Sequence, residues 1–405
     1  MVSSLARTIT HSGVWRPEDR VAAIYRYLPV EVPPGAPGLR VTLEYDRSAG
    51  VIDLGCVGAN GFRGWSGGAR SEYVITPMTA TPGYLPGELE PGEWSVVLGL
   101  HRVPPEGIPW RVTATIEPAS VPPDPPPPPA PVRPARRDLP AAAGLTWYAG
   151  DLHAHTVHSD GSLTIDELAC LAAARGLDFL AITDHNTVSH HRHLPAAGDR
   201  AGVLLVPGQE VTTDRGHANA FGDIGWVDFR APATEWVSTV AQRGGLLSIN
   251  HPLAADYAWR HLLAQRPPLA EIWHVSWLER RWGGPLAWWQ AWGYDTIPIG
   301  GSDFHSSDEG FSLGAPTTWV ACEELSVAGV LDGLAAGRVA ISAEPRGPVL
   351  VRVEDDLIAL DADGAILTEP SGRRRIVTGD RARFPAEPGP HWLEDGQTRV
   401  LAIAA

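Results

Sequence analysis

The stretch SVPPDPPPPPAPVRPARRDLP, residues 120–140, sets the first limit on how this 405-residue chain can fold. Proline has no backbone N–H and a fixed φ, so a run of it cannot sit inside a sheet or helix and favours extended polyproline II. The run predicts a stiff linker, placed at residues 120–146, that divides the chain. A ligand motif for a proline-binding partner is the other reading of such a run; the composition favours the linker. Each side must then bury its own core, and the length suffices for two or three domains.

Before the linker the chain is short-period. Leu39, Val41, Leu43 and Tyr45 share one face, with Arg40, Thr42 and Glu44 on the other. SVVLGLHRV (95–103) and RVTATIEP (111–118) alternate in the same way, with Gly and Pro turns between. Period-two patterning with such turns predicts an antiparallel β-sandwich over residues 1–119. His11 and His101 stand alone there and read as structural or solvated.

After the linker the rhythm changes. SLTIDELACLAAARG reads as a helix with a capping box, Thr164 to Glu167, and a stop at Gly176. Short apolar runs follow: DFLAI (178–182), VLLVPG (203–208), LLSIN (246–250), EIWHV (271–275), TIPIGG (296–301) and TTWVA (317–321). Runs of this kind separated by helical or loop segments indicate buried parallel strands in an α/β barrel or a doubly wound sheet, over residues 147–345. The segment ELSVAGVLDGLAAGR (324–338) is a last helix. Residues 346–405 return to β-like alternation and are expected to form a small appended β-rich unit.

Composition narrows the function classes. No window of 18 apolar residues occurs, so no transmembrane helix is expected. The start, MVSSLARTITHSGVWRPEDR, lacks an apolar core and cleavage site, so it reads as the start of a mature, cytoplasmic protein. Cys56, Cys170 and Cys322 are scattered and make neither a disulfide framework nor a zinc ribbon. There is no lysine, which excludes a P-loop lysine and Schiff-base chemistry. The net charge of −15 argues against coating nucleic acid and is compatible with a site holding several divalent cations.

Of 15 histidines, 12 lie between His153 and His305. They fall in polar clusters, each directly after an apolar run: WYAGDLHAH, LAITDHN, VLLVPGQE, LLSINHP and IPIGGSDFH. Strand carboxyl ends converge on one face of a parallel α/β sheet, so these clusters are predicted to meet there. His, Asp and Glu without cysteine suit Zn²⁺, Mn²⁺ or Fe²⁺ in a hydrolytic site. Nine candidates result: His153, His155, Asp160, His185, Glu210, His217, His251, Asp303 and His305. One ion cannot use nine ligands; two or three can. A lone histidine is more often a satisfied core or surface group, but five strand-end clusters together are not explained that way. His158 reads as a surface histidine, His190, His191 and His193 as a solvated loop, and His261 and His274 as structural. Asp184 is expected to orient an imidazole rather than bind metal.

DLHAHTVHSDG, ITDHN, GQE with the later His217, NHP and GGSDFH together resemble the polymerase and histidinol phosphatase (PHP) superfamily, over roughly residues 147–345. The wording around the motifs, WYAGDLHAHT and EIWHVSW among them, looks most like the branch that includes carbaryl hydrolases. The resemblance implies a distorted seven-stranded (β/α) barrel and a trinuclear metal centre. It implies that His153, His155, Glu210 and Asp303 hold one ion, that Glu210 bridges to a second completed by His217 and His251, and that Asp160, His185 and His305 hold a third. Glu210, Asp303 and His251 are the residues it implies for catalysis.

A hydroxide held between the first two ions would be nucleophilic near neutral pH, because cations depress the pKa of bound water from 15.7 towards roughly 7. The expected activity is a metal-dependent phosphoesterase acting on a small phosphomonoester or phosphodiester. The same site could serve a carbamate or carboxylic ester. The reading from another class is a non-catalytic binding scaffold, against which the complete motifs speak. Arg192 and Arg215 lie near the motifs and are candidates to clamp substrate. Trp273, Trp277, Trp282, Trp288, Trp289, Trp292 and Trp319 form a tryptophan-rich set, read mainly as core and otherwise as an aromatic wall for a hydrophobic leaving group.

Overall fold

The alternation before the linker and the apolar runs after it both become strands. The computed structural model describes residues 7–123, 125–281 and 283–405, so Trp282 lies outside the described residues. The chain divides into two units. One is Met1–Pro126 with the short segments Val157–Asp160 and His185–His190; the other is the remainder.

The first unit holds two four-stranded antiparallel sheets. One orders the strands Arg7–Trp15, Ile108–Ile116, Leu39–Tyr45 and Glu72–Ile75, the other Tyr25–Val32, Gly92–Arg102, Val51–Gly58 and Gly61–Gly67. In Leu39–Tyr45 the side chains of Leu39, Val41 and Leu43 are buried and Glu44 is exposed, as the period of two requires. The sheets share one core, with Val41 and Val112 from the first packing with Val30, Leu54 and Leu98 from the second. The two short segments are tied into this unit by hydrogen bonds. The Arg70 guanidinium donates to the Val157 carbonyl and, at 2.9 Å, to that of Ser159. The Thr187 hydroxyl donates to the Gly83 carbonyl at 2.9 Å, and the Gly83 N–H to Ser189 Oγ at 3.0 Å.

The second unit is built on a 13-stranded mixed sheet. Thr146–Asp151, Phe179–Ile182 and Leu204–Thr213 run parallel. Gly216–Phe221 then folds back antiparallel between Leu204–Thr213 and Leu246–Ile249. Leu269–His274 and Ile297–Gly301 resume the parallel order. The expected run of parallel strands is therefore interrupted by one hairpin, whose turn at Gly216 has φ 119°, a value open to glycine. On the other flank of Thr146–Asp151, Thr317–Cys322 and Val339–Ser342 pair antiparallel. Beyond them the C-terminal strands Val400–Ala404, His391–Glu394, Ile366–Thr368 and Arg374–Ile376 extend the same sheet.

The helix Ile165–Arg175 has its Thr164–Glu167 capping box and a left-handed C-cap at Gly176, φ 84°. It buries Leu168, Ala169 and Ala172 in a cluster shared with Leu180, Ile182 and Leu205. The described proline-rich residues form neither helix nor strand. The arginines after them fasten to the second unit: Arg133 donates to Asp178 at 2.5 Å, and Arg137 to the carbonyls of Pro345 and Gly347 at 3.1 and 2.7 Å. Trp273, Trp289 and Trp319 are core side chains, while Trp277, Trp288 and Trp292 are half-buried.

Candidate metal centre

Side chains at the carboxyl ends of four strands of the second unit converge. His153 and His155 follow Thr146–Asp151, Glu210 lies within Leu204–Thr213, His251 follows Leu246–Ile249, and Asp303 follows Ile297–Gly301. His217, on the hairpin strand, joins them across the Leu204–Thr213 ladder, where it faces Thr212. The loops after these strands are held by Asp151, a fully buried carboxylate. It accepts the N–H groups of His153, Ser302 and Gly314 at 3.1, 3.0 and 2.7 Å. His251 and Asp303 both take positive φ, 26° and 49°. Strained backbone of this kind persists where the surroundings over-determine it, and it clusters at functional sites.

His153 Nε2 lies 3.1 Å from Asp303 Oδ1 and 3.3 Å from Glu210 Oε1. His155 Nε2 lies 3.0 Å from Asp303 Oδ1 and 3.5 Å from Glu210 Oε2. On the other side of Glu210, Oε1 is 3.1 Å from His217 Nδ1 and 3.4 Å from His251 Nε2. It also accepts Asn250 Nδ2 at 2.8 Å. The His305 ring stacks on that of His155 with centroids 4.1 Å apart. Asp160 and His185 belong to the segments that group with the first unit, and there they stand 3.7 Å apart.

Two residues read as structural or passed over in the sequence are part of this cluster. Glu271 Oε1 faces His153 Nδ1 at 3.0 Å, and its Oε2 accepts the His251 backbone N–H at 2.8 Å. His274 Nε2 sits 3.2 Å from Asp303 Oδ2. Its Nδ1 accepts the Ser276 backbone N–H at 3.1 Å, so in the neutral ring the proton lies on Nε2 and points at Asp303. His274 ends the apolar run IWH and the strand Leu269–His274, so the strand-end rule applied to the other clusters would have found it, whereas Glu271 lies inside that strand and the rule does not reach it. Gly301 makes room: a Cβ there would stand 2.5 Å from the His153 Cβ.

Two further sequence readings change. His158 is buried rather than on the surface, with Nδ1 2.7 Å from Ser189 Oγ. Asp184 accepts the Thr156 N–H and hydroxyl at 2.8 Å each. His190 is fully buried, and His191 Nε2 lies 2.9 Å from the Gly208 carbonyl, so that loop is not simply solvated. Arg192 binds its neighbour His193, and Arg215 the carbonyl of Arg260.

The donor set fits a cation. His153 Nδ1 is engaged by Glu271, which leaves the Nε2 lone pair facing two carboxylates. His153, His155, Glu210 and Asp303 each offer one ligand atom, and these atoms lie within 4.8 Å of one another. Zn–N and Zn–O bonds of about 2.0–2.2 Å put tetrahedral neighbours roughly 3.4 Å apart. The observed spacings of 3.0–3.5 Å match that. The electrostatics agree. Burial works against a charged His153, yet the carboxylates of Asp303, Glu210 and Glu271 hold its pKa well above the usual value. Burial likewise opposes charge on Asp303, but His153, with hydrogen bonds from His155 and His274, holds it well below the carboxylate range. A concentration of negative charge that draws in protons this strongly will draw in a divalent ion.

Such a cluster, at strand ends and with the Glu271 carboxylate behind His153, is a donor set in an α/β unit that could hold a divalent ion. Residues 151–264 match the PHP domain family. Over 62 residues it is 42% identical to the phosphoribosyl 1,2-cyclic phosphate 1,2-diphosphodiesterase of Eggerthella lenta, covering 15% of this chain and 24% of that protein. Over 66 residues it is 41% identical to a 3',5'-nucleoside bisphosphate phosphatase of Chromobacterium violaceum, with coverages of 16% and 23%. A 5'-3' exoribonuclease of Haemophilus influenzae is 38% identical over 64 residues, with coverages of 16% and 23%. The chain thus spans about a quarter of the length of the curated relatives it matches. Among solved structures, a two-domain Bacteroides vulgatus protein containing a predicted PHP-like metal-dependent phosphoesterase aligns with TM-score 0.44 and 16% identity, over 68% of this chain and 99% of that one.

Proposed function

We propose that this protein is a metal-dependent phosphoesterase that hydrolyses a small phosphomonoester or phosphodiester. The observation that carries the reading is the convergence of His153, His155, Glu210 and Asp303 on one point at ligand spacing, with Glu271 behind His153. His153, His155, Glu210 and Asp303 would hold one ion, Glu210 with His217 and His251 a second, and Asp160, His185 and His305 a third; Zn²⁺, Mn²⁺ and Fe²⁺ all suit such ligands. Divalent ions there would supply a nucleophile from water near neutral pH and positive charge for phosphoryl oxygens. The chain's own residues do the rest. Glu271 fixes the ring of His153, Asp151 fixes the loops that carry His153 and Asp303, and His274 points an N–H at Asp303. The relatives include a cyclic-phosphate diphosphodiesterase and a bisphosphate phosphatase, which supports phosphate esters as the substrate class. An exoribonuclease is also among them, but a net charge of −15 disfavours a long polyanion.

The fold reading that accompanies this is a seven-stranded barrel formed by the strands from Thr146–Asp151 to Ile297–Gly301. The parallel bridge between Ala154 and Phe304, beyond the ends of the first and last of these, supports closure. We take residues 1–119 as the β-sandwich, 120–146 as linker, 147–345 as the PHP domain and 346–405 as its extension.

The test is the initial rate of metal-reconstituted protein on bis(p-nitrophenyl) phosphate and on 1-naphthyl acetate, with His251→Ala prepared identically. Phosphodiester turnover falling at least about 100-fold in the variant is expected, in line with losses seen when metal-site support is removed. Ester turnover alone, equally dependent on His251, would transfer the assignment to the carbamate and carboxylic ester chemistry of the carbaryl-hydrolase branch. Silence on both with metal bound would leave the scaffold reading.

A further inference from the structure

Beside the cluster opens a cavity of about 500 Å³, and nothing in the phosphoesterase chemistry says what fills it. His251, Glu271 and His274 form one side of it, and Leu253, Trp277, Leu278, Glu279 and Arg281 are among the residues that line the rest. The apolar members are unusually placed for a soluble protein. Leu253 is 47% exposed and Leu278 74%, although both flank a concave surface that could cover them. Trp277 is fixed: its backbone N–H closes a turn on the His274 carbonyl at 2.9 Å, and its ring meets Trp273 edge-on at 5.5 Å. A ring held this way presents a flat apolar surface with little ordering cost on binding. The same turn sets the Nδ1 of His274, so one short segment, His274–Trp277, carries both a donor facing the metal ligands and an aromatic wall facing the cavity.

Size and apolar lining say what would fit. A cavity of some 150 Å³ accommodates benzene, so about 500 Å³ leaves room for a fused ring system together with part of a phosphoryl group. Inorganic phosphate or a methyl ester would leave Leu253, Trp277 and Leu278 wet. Arg281 is offset in the lining by Glu279, so the charge of the cavity does not select the organic group and its size and apolar wall do.

We propose that this cavity is the binding site for the organic part of the ester, and that it selects phosphate esters of apolar, ring-bearing alcohols over small aliphatic ones. The proposal rests on the phosphoesterase reading for the phosphoryl end and on the cavity alone for the other.

The experiment is calorimetric titration of the metal-reconstituted full chain with 1-naphthylmethylphosphonate and with methylphosphonate. Neither has an ester bond to cleave, so the affinity ratio is read without turnover. A ratio of about 10 or more in favour of the naphthyl ligand is expected, since each added carbon buried in an apolar pocket discriminates several-fold. Trp277→Ala should bring the ratio down at least about fivefold. Leu253→Asn, at an exposed position that the fold does not need, should move the ratio in the same direction. A ratio near one in the unaltered protein, or a ratio untouched by both variants, would overturn the proposal, as would binding of neither ligand. Turnover of bis(p-nitrophenyl) phosphate with a flat ratio leaves the phosphoesterase standing and removes the pocket. A steep ratio without turnover does the reverse.

Discussion

Glu271 has almost no contact with water, and both of its oxygens are committed, one to the His153 ring and one to the His251 backbone. It touches two residues of the proposed ligand set. Replacing Glu271 by Gln keeps the shape and removes the charge that selects the Nδ1-protonated ring of His153. The expected result is metal affinity weaker by about 10–100-fold, the usual cost of losing a carboxylate behind a ligating histidine. A competitive chelator titration would measure it, with circular dichroism showing an unaltered fold; unchanged affinity would refute the role. The convergence of His153, His155, Glu210, His251 and Asp303 was legible because a histidine or acid directly after an apolar run is an unusual place for a polar group. His274 obeys the same rule but lacks a repeated spacing such as HxH, and Glu271, inside the strand Leu269–His274, has no such local signal. His158 went the other way. Its burial depends on Ser189, and nothing local in SHHRH or VHSDG predicts that partner.

At the scale of elements, the strands were legible wherever hydrophobicity alone decides burial. Phe179–Ile182, Leu246–Ile249 and Thr317–Cys322 are apolar runs buried along almost their whole length. Gly216–Phe221 was not legible as a separate antiparallel strand. HANAF mixes small and polar residues, and its direction follows from the two-residue turn Asp214–Arg215 rather than from its own pattern. The segment Val157–Asp160 is a further case, since its conformation depends on Arg70, far away in sequence. Arg70 satisfies two of its carbonyls, and hydrogen bonds from a charged donor are worth more than neutral ones. Arg70→Ala should cost about 1–3 kcal/mol in urea unfolding, because the carbonyls lose a charged donor and only in part regain water. Hydrogen exchange confined to residues 157–160 should accelerate. Uniform acceleration across the first unit would point instead to a general loss of packing.

For the whole molecule, the decisive quantity is the charge concentrated at one place in the second unit. Glu210, Glu271 and Asp303 share a volume with His153, His155, His251 and His274, and only protons or cations can balance them. Without metal, the balance comes from His153, whose pKa the surrounding carboxylates raise well above its usual 6.5. A base with a raised folded pKa contributes stability that is complete below the unfolded value and is lost as pH rises through the folded one. Asp303 has the opposite sign: its lowered pKa contributes stability above the ordinary carboxylate value of 3.8 and loses it only in acid. Above pH 6.5, then, Asp303 is constant and the metal-free protein weakens as pH rises towards the raised pKa of His153. Metal binding moves oppositely, because the ions require neutral imidazoles and displace the same protons, so affinity rises with pH. An ion at 1,000 times its dissociation constant adds about 4 kcal/mol. At roughly 2–4 °C per kcal/mol for a domain of this size, chelation should lower Tm by about 8–16 °C near pH 8.5. The gap should be several degrees smaller at pH 6.5. Scanning calorimetry with excess Zn²⁺ or Mn²⁺ against chelator at both pH values reads it directly. A gap that narrows as pH rises would mean that the cluster is balanced by its own protons and that its carboxylates and imidazoles are a structural network.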